Sequence, residues 1–256
     1  MSIFVIQSLQ QEILFFSLPF VLLSTTLHDA GQVVFAVMLM AAAVVSTIDP
    51  LYEKYIATTT LASITFQSFC SFVAALIVLP IVVQVPLGKS FYIALAFVIA
   101  WLVIVAPAIL TSNYSLRSTA ARLLVIISIP LILIAGREHI PAAGLQVSKS
   151  RVTSVVENHE PGAILSSIHQ SELADGLYAY SSISAPKGLE QEIIFHWKHE
   201  NHEEQISSQI IGGREEGFRT YSFKENFIEQ SEGNWTIDIT TAQGQLLERL
   251  EFIVYI

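Results

Sequence analysis

Charge is scarce in this sequence and cysteine is almost absent. Only 14% of the 256 residues are charged, where an ordinary soluble chain carries about 25%. The single cysteine, Cys70, stands inside an apolar run. One thiol excludes an internal disulfide, and in such a setting it reads as a buried small hydrophobe. No nucleophile, metal-ligating or phosphate-binding motif stands out in the chain, so neither an enzyme class nor a cofactor is implied. Basic residues are outnumbered, 13 Lys and Arg against 22 Asp and Glu, giving a formal charge of −9. That balance argues against nucleic acid or an anionic membrane surface as a partner, because both reward a basic patch.

What is abundant is hydrocarbon: 52% of the residues are hydrophobic. They are unevenly placed. Residues 1–140 hold five basic groups (Lys54, Lys89, Arg117, Arg122, Arg137) and five acidic ones (Glu12, Asp29, Asp49, Glu53, Glu138), so their net charge is zero. The remainder holds eight basic and seventeen acidic residues and therefore carries the whole −9. The switch near Arg137 predicts a membrane-embedded helical region over 1–138, a linker over 139–146, and a water-facing domain over 147–256.

A bilayer crossing needs about 20 apolar residues. Four runs meet this: Ala30 to Ile48, Thr58 to Val82, Ser90 to Leu110, and Thr119 to Gly136. An earlier run, Ile3 to Thr26, is interrupted by Gln10, Gln11 and Glu12 and reads either as a span or as an interfacial piece with a short span. The count is about five, with four as the alternative. No basic region precedes the first run, which argues against a cleavable signal peptide. Pro19, Pro80, Pro107 and Pro130 fall in or near these runs, as membrane helices tolerate. No GxxxG lies in the apolar part, although Ala41 to Ala43 and Ser46 permit close helix approach. With five spans the N-terminal side carries Lys54, Arg117 and Arg122 and the other side Lys89 and Arg137, with Lys149 and Arg151 further on, a nearly even division. The Arg117–Arg122 cluster favours a cytoplasmic N-terminus and an extracytoplasmic C-terminal domain, and a four-span count would reverse the N-terminus and leave the domain outside. Polar candidates in the membrane part are Glu12, for a proton or ion, and Asp49 with Glu53 in the STIDPLYEKY connection. A blander reading makes Glu12 an interfacial anchor, Asp49 a helix end, Pro50 a turn, and Tyr52 and Tyr55 headgroup-level residues.

Beyond Gly144 the pattern alternates with period two. Eight strands are predicted, near 146–156, 163–169, 177–184, 190–198, 204–211, 218–224, 235–241 and 246–255, with SELADG as a helical turn. Turn signals such as APKG, GGREEG and SEGN separate them, so the domain reads as an all-β antiparallel sandwich or barrel. In IIFHWKH, Trp197 shares a face with Ile193 and Phe195, and Trp235 alternates with Ile237 and Ile239; both read as core. His196, His199 and His202 would align only on a helix, so no metal site is expected and the three read as solvated residues around a hairpin. The densest polar chemistry is IIGGREEGFRTYSFKENF. Its candidate binding residues are Arg214, Arg219, Tyr221 and Lys224, joined by His196. The two arginines either fork onto a partner's carboxylate or phosphate, or pair with the domain's own glutamates.

The segments QEILFFSLPF, STIDPLYEKY, GLYAYSSISAPKGLEQEIIFHW, IGGREEGFRTYSFKENF and GNWTIDITTAQGQLLERLEF resemble an uncharacterised bacterial membrane-protein family. In that family a multi-span region precedes a C-terminal β domain of unknown function. Glu248 stands where the family pattern tends to have glycine. The resemblance implies a bacterial inner-membrane location, relatives with further spans upstream, and no known reaction. The expected function is that of an envelope protein, more a binder than an enzyme, whose sandwich takes a protein or glycan partner while the bundle sits in the lipid bilayer. The alternative is a small transporter or lipid-handling protein with the β domain as regulatory cap.

Overall fold

The structure, a computed structural model, describes residues 3–110, 116–227 and 231–256. Its first part is helical: α1 (Ile3–Ser24), α2 (Ala30–Thr47), a short α3 (Asp49–Tyr55), α4 (Thr60–Val82), α5 (Leu87–Leu110) and α6 (Leu116–Ala135). The Asp29 carboxylate caps α2 by accepting from Gly31 N at 2.8 Å, and the Thr59 hydroxyl caps α4. Each cap satisfies a backbone donor that a first helical turn leaves unpaired. The bundle has an apolar core, around Leu14, Phe35, Leu39, Phe72 and Leu76, that also takes in several polar side chains, and its exterior is apolar as well. Phe16, Leu23, Val37, Phe97, Ile104 and Leu131 are exposed, while Gln7, Gln10, Ser17, Gln32, Ser46 and Ser68 are buried. Such an exterior suits hydrocarbon and not water.

Among the described residues, four helices are long and apolar enough to cross a membrane: Phe4–Ser24, Ala30–Thr47, Thr60–Val82 and Leu87–Pro107. The interrupted first run is thus one continuous helix. Its three interrupting residues part company: Gln10 turns inward, Gln11 is half-buried, and Glu12 faces outward. The expected span 119–136 gives a described apolar stretch of only Arg122–Ala135. The Asp49 region also differs from expectation. Asp49 and Pro50 begin α3, and Tyr52 is buried, its hydroxyl donating to Gln10 Oε1 at 2.7 Å. Gln7 Nε2 donates to Asp49 Oδ1 at 2.8 Å and to the Ser46 carbonyl at 3.1 Å. The two glutamines therefore tie α1 to the α2–α3 corner.

The second part is built from β1 (Gln146–Thr153), β2 (Val156–Glu157), β3 (Glu160–Pro161), β4 (Ser167–His169), β5 (Leu177–Ser184), β6 (Glu190–His199), β7 (His202–Ile211), β8 (Phe218–Lys224), β9 (Gly233–Thr241) and β10 (Leu246–Tyr255). SELADG lies in a 3₁₀ turn, Gln170–Asp175. Strands β1-β5-β8 form one antiparallel sheet and β4-β10-β9-β6-β7 a second, mixed one, in which β4 runs parallel to β10. The all-antiparallel expectation is corrected at that one pairing. A single apolar core draws on both sheets, from Val152, Ala179 and Ile183 on one to Ile193, Phe195, Trp197, Ile237 and Phe252 on the other. Trp197 (1% exposed) and Trp235 (3%) are core residues as expected. Their ring nitrogens donate to Ser222 Oγ and the Ser231 carbonyl, both at 2.9 Å. Each such burial stabilises by roughly 2 to 3 kcal/mol or more.

The segment joining the two parts is itself packed. Ile140 and Ala143 belong to the helical core, Ala142 and Leu145 to the β core. Three separate stretches of the bundle reach the domain. Gln32 Nε2 donates to the Leu246 carbonyl at 2.8 Å, Leu87 N donates to Gln191 Oε1 at 3.3 Å, and Gln245 Nε2 donates to the Ile140 carbonyl at 2.7 Å.

Candidate functional site

Strand alternation divides the sequence-predicted site residues between opposite surfaces. On β8, Thr220, Ser222 and Lys224 point into the sandwich, whereas Arg219, Tyr221 and Phe223 stand on the outer face. The registers of β1, β5 and β8 align this face in three rows: Lys149, Ser182, Arg219; Arg151, Tyr180, Tyr221; Thr153, Tyr178, Phe223. Aligned partners in a sheet share a face, so the rows form a patch with cations at one end and aromatic rings at the other. Tyr178 stacks on Phe223 at 4.3 Å between centroids and meets Tyr221 edge-on at 5.7 Å. Tyr221 is exposed.

The β2–β3 hairpin crosses this patch. Asn158 and His159 take left-handed backbone at its tip, and its carboxylate, Glu160, reaches the cations. Glu160 Oε1 lies 2.8 Å from Arg219 Nη2, which also pairs with Glu216 at 2.7 Å, and Glu160 Oε2 lies 3.6 Å from Lys149 Nζ. Arg151 Nη1 donates to the Gly162 carbonyl at 3.2 Å, while its Nε is buried without a hydrogen-bond partner among the described residues. Tyr180 lies beneath the hairpin, fully buried. Burial first, then the Glu160 charge, raises its phenol above the usual range against the opposing pull of Arg219 and Arg151.

The other predicted residues are elsewhere. Arg214 is exposed in the β7–β8 loop with its guanidinium 4.7 Å from the Phe218 ring centroid. That loop is placed by Gly212, where a Cβ would collide with the Pro186 carbonyl, and by Gly213, which has a left-handed φ of 104°. Lys224 is buried, paired with Glu204, and lies over the rings of Phe227 and Trp235. His196 lies on the outer face of the five-stranded sheet, between Glu203 Oε1 (2.7 Å) and Thr240 Oγ1 (2.9 Å). His199, expected to be solvated, is buried and stacked on Trp235 at 4.6 Å.

The His196 surface lines a cleft of about 390 Å³ shared with His28, Asp29 and Glu138 of the helical part. There Asp238 is held by Arg249 (2.6 and 3.0 Å) and by Lys198 (3.0 Å). Burial alone would raise the Asp238 carboxyl, but the bonds from Arg249 and Lys198 outweigh it and hold the group below the usual carboxylate range. Within the bundle, two grooves of about 470 and 630 Å³ are lined almost wholly by apolar side chains, and Glu12, Asp49 and Glu53 line neither. Glu12 and Glu53 are exposed.

Residues 1–179 match a family described as "Family of unknown function (DUF5924)". The chain belongs to that family. Residues 190–254 match a second description, "Protein of unknown function (DUF2914)". The first match ends within β5 and the second begins with β6, so Lys149, Arg151, Glu160 and Tyr178 come from one and Arg219, Tyr221 and Phe223 from the other. No curated protein matches the chain. A crystal structure of an immunoglobulin-like protein from Pseudomonas aeruginosa is similar at 12% identity and a TM-score of 0.32, covering 44% of this chain and 98% of that one. Of the residues gathered on this face, Arg219 and Tyr221 are candidates that the sequence already singles out. Lys149, Arg151, Tyr178 and Glu160 are not, since only the sheet register and the hairpin bring them beside the other two.

Proposed function

We propose that this DUF5924 member is a non-enzymatic protein of the bacterial inner membrane that binds a protein partner through the outer face of its three-stranded sheet. The observation that carries this reading is the patch of Tyr178, Tyr221, Phe223 and Arg219. Tyr221 is exposed and Tyr178, Phe223 and Arg219 are half-buried beside it, and tyrosine and arginine are residue types that dominate protein recognition. A second reading, a glycan partner, draws on the stacked Tyr178 and Phe223 rings. The small transporter or lipid-handling alternative finds no support in the apolar grooves of the bundle.

The bundle serves as the anchor. The α1–α2 loop, the α4–α5 connection and the end of α6 all meet the β domain, which supports five passes through one layer. The opposite end then carries Lys54, Arg117 and Arg122, against Lys89 and Arg137 at the domain end, so the domain faces away from the cytoplasm. The test is affinity capture from native membranes with the full chain and with a Tyr178→Ala, Tyr221→Ala double variant. A partner held by the first and lost from the second is the expected result. Equal capture by both sinks the assignment of this face.

A further inference from the structure

The cationic end of the patch is already occupied, and by a group of the chain itself. Glu160 sits where an incoming carboxylate would sit, within 2.8 Å of Arg219 and 3.6 Å of Lys149. Its hold is weak. Its carboxylate is half-exposed, and exposed ion pairs contribute about 0 to 1 kcal/mol. The hairpin behind it has a ladder of only two residue pairs, short of what makes a hairpin stable alone; its base is fastened by Gly162 N to the Val155 carbonyl and Leu165 N to the Val152 carbonyl, both at 2.9 Å, so the part able to yield is the tip that carries Glu160. The site beneath is better built than its occupant. Lys149 and Arg151 on β1 and Arg219 on β8 flank the central strand β5 in fixed register, and Arg151 keeps a buried Nε unpaired among the described residues. A buried donor without a partner is costly and gains from any acceptor brought to it. A planar guanidinium fork is also suited to a carboxylate.

We infer that Lys149, Arg151 and Arg219 form a seat for a carboxylate on an acidic segment of the protein partner, with Glu160 as its resident surrogate and the tip of the 156–161 hairpin as the element that yields. This rests on the partner-face reading above and names the chemistry of what that face receives. Elsewhere in this acidic domain Lys198 and Arg249 are committed to Asp238, and Lys224 to Glu204. Arg214 and Lys187 lie apart from the seat, at the β7–β8 loop, with Arg214 over the Phe218 ring.

The direct test uses the full chain in nanodiscs of a zwitterionic phospholipid, with a dye-labelled oligoglutamate peptide followed by fluorescence anisotropy and oligoglutamine as control. Glu160→Gln removes the competing charge at nearly constant shape, and affinity should rise about fivefold, the equivalent of losing one exposed pair. Adding Arg219→Gln or Arg151→Gln to that variant should reduce affinity at least about tenfold, and Arg219→Lys, which keeps the charge without the fork, should fall between. Wild-type affinity in Glu160→Gln, or undiminished binding without Arg219, overturns the proposal. Failure here is separable from failure of the partner face. Capture that needs Tyr178 and Tyr221 while Glu160→Gln changes nothing removes the seat and leaves the face. Peptide binding that needs Arg219 while capture ignores the tyrosines does the reverse.

Discussion

The two outer faces of the β domain solve the same problem in opposite ways. On the five-stranded sheet, cations meet an acid planted within the sheet: Asp238, on β9, is flanked by Lys198 from β6 and Arg249 from β10, and the helical part closes over their cleft. On the three-stranded sheet the cations are met from outside, by a carboxylate on a two-pair hairpin. A charge answered from within is structural and hard to displace, whereas one answered by a peripheral loop is available for exchange. That difference, more than residue type, is the ground for proposing the three-stranded face, and not the five-stranded one, as the surface that binds.

The contrast can be broken by mutation, and the largest effect belongs to the scaffold face. Asp238→Ala leaves two cations unneutralised at a partly buried position and should cost about 2 to 3 kcal/mol, somewhat under the figure for fully buried pairs because Lys198 and Arg249 retain solvent contact. Urea unfolding followed by Trp197 and Trp235 emission in a Trp101→Phe background reads this out. The same carboxyl sets an acid limit. Its folded pKa is depressed, so its contribution is complete above the unfolded value of about 3.9 and is lost as pH falls through the lower, folded one. Stability should stay level from neutral pH to about 5 and drop below about 4, and Asp238→Asn should abolish that acid-sensitive component. Between the faces, Ser222→Ala orphans the Trp197 N–H and should cost about 1 to 2 kcal/mol. Smallest of all is Glu160→Gln on the binding face, within about 1 kcal/mol; a loss as large as that of Asp238→Ala would mean that the hairpin is structural and would erase the distinction.

Local periodicity made much of the fold legible. The limits of β5, β8 and β10 and the inward aim of Trp197 and Trp235 follow from alternation, because side-chain direction in a strand depends on parity alone. What was not legible depends on partners far along the chain. Gln10 reads as an interruption until Tyr52, 42 residues on, is seen to donate to it; His199 reads as solvated until Trp235 stacks on it. The candidate site divides likewise. Arg219 and Tyr221 were found through the density of polar groups around Gly212 and Gly213, but that signal also drew in Lys224, whose parity turns it inward. Arg151 and Glu160 carry no local signal, since a register and a hairpin crossing give them their roles.

The most direct measurement compares the two faces in the living cell. A photo-crosslinking amino acid is placed at Tyr221 on one face and, in a separate chain, at Lys198 on the other. We expect Tyr221 to yield a discrete adduct with a protein partner, weakened by Arg219→Gln, and Lys198 to yield crosslinks within the chain alone. A discrete partner captured from Lys198 with none from Tyr221 would contradict the assignment of the three-stranded face as the surface that binds.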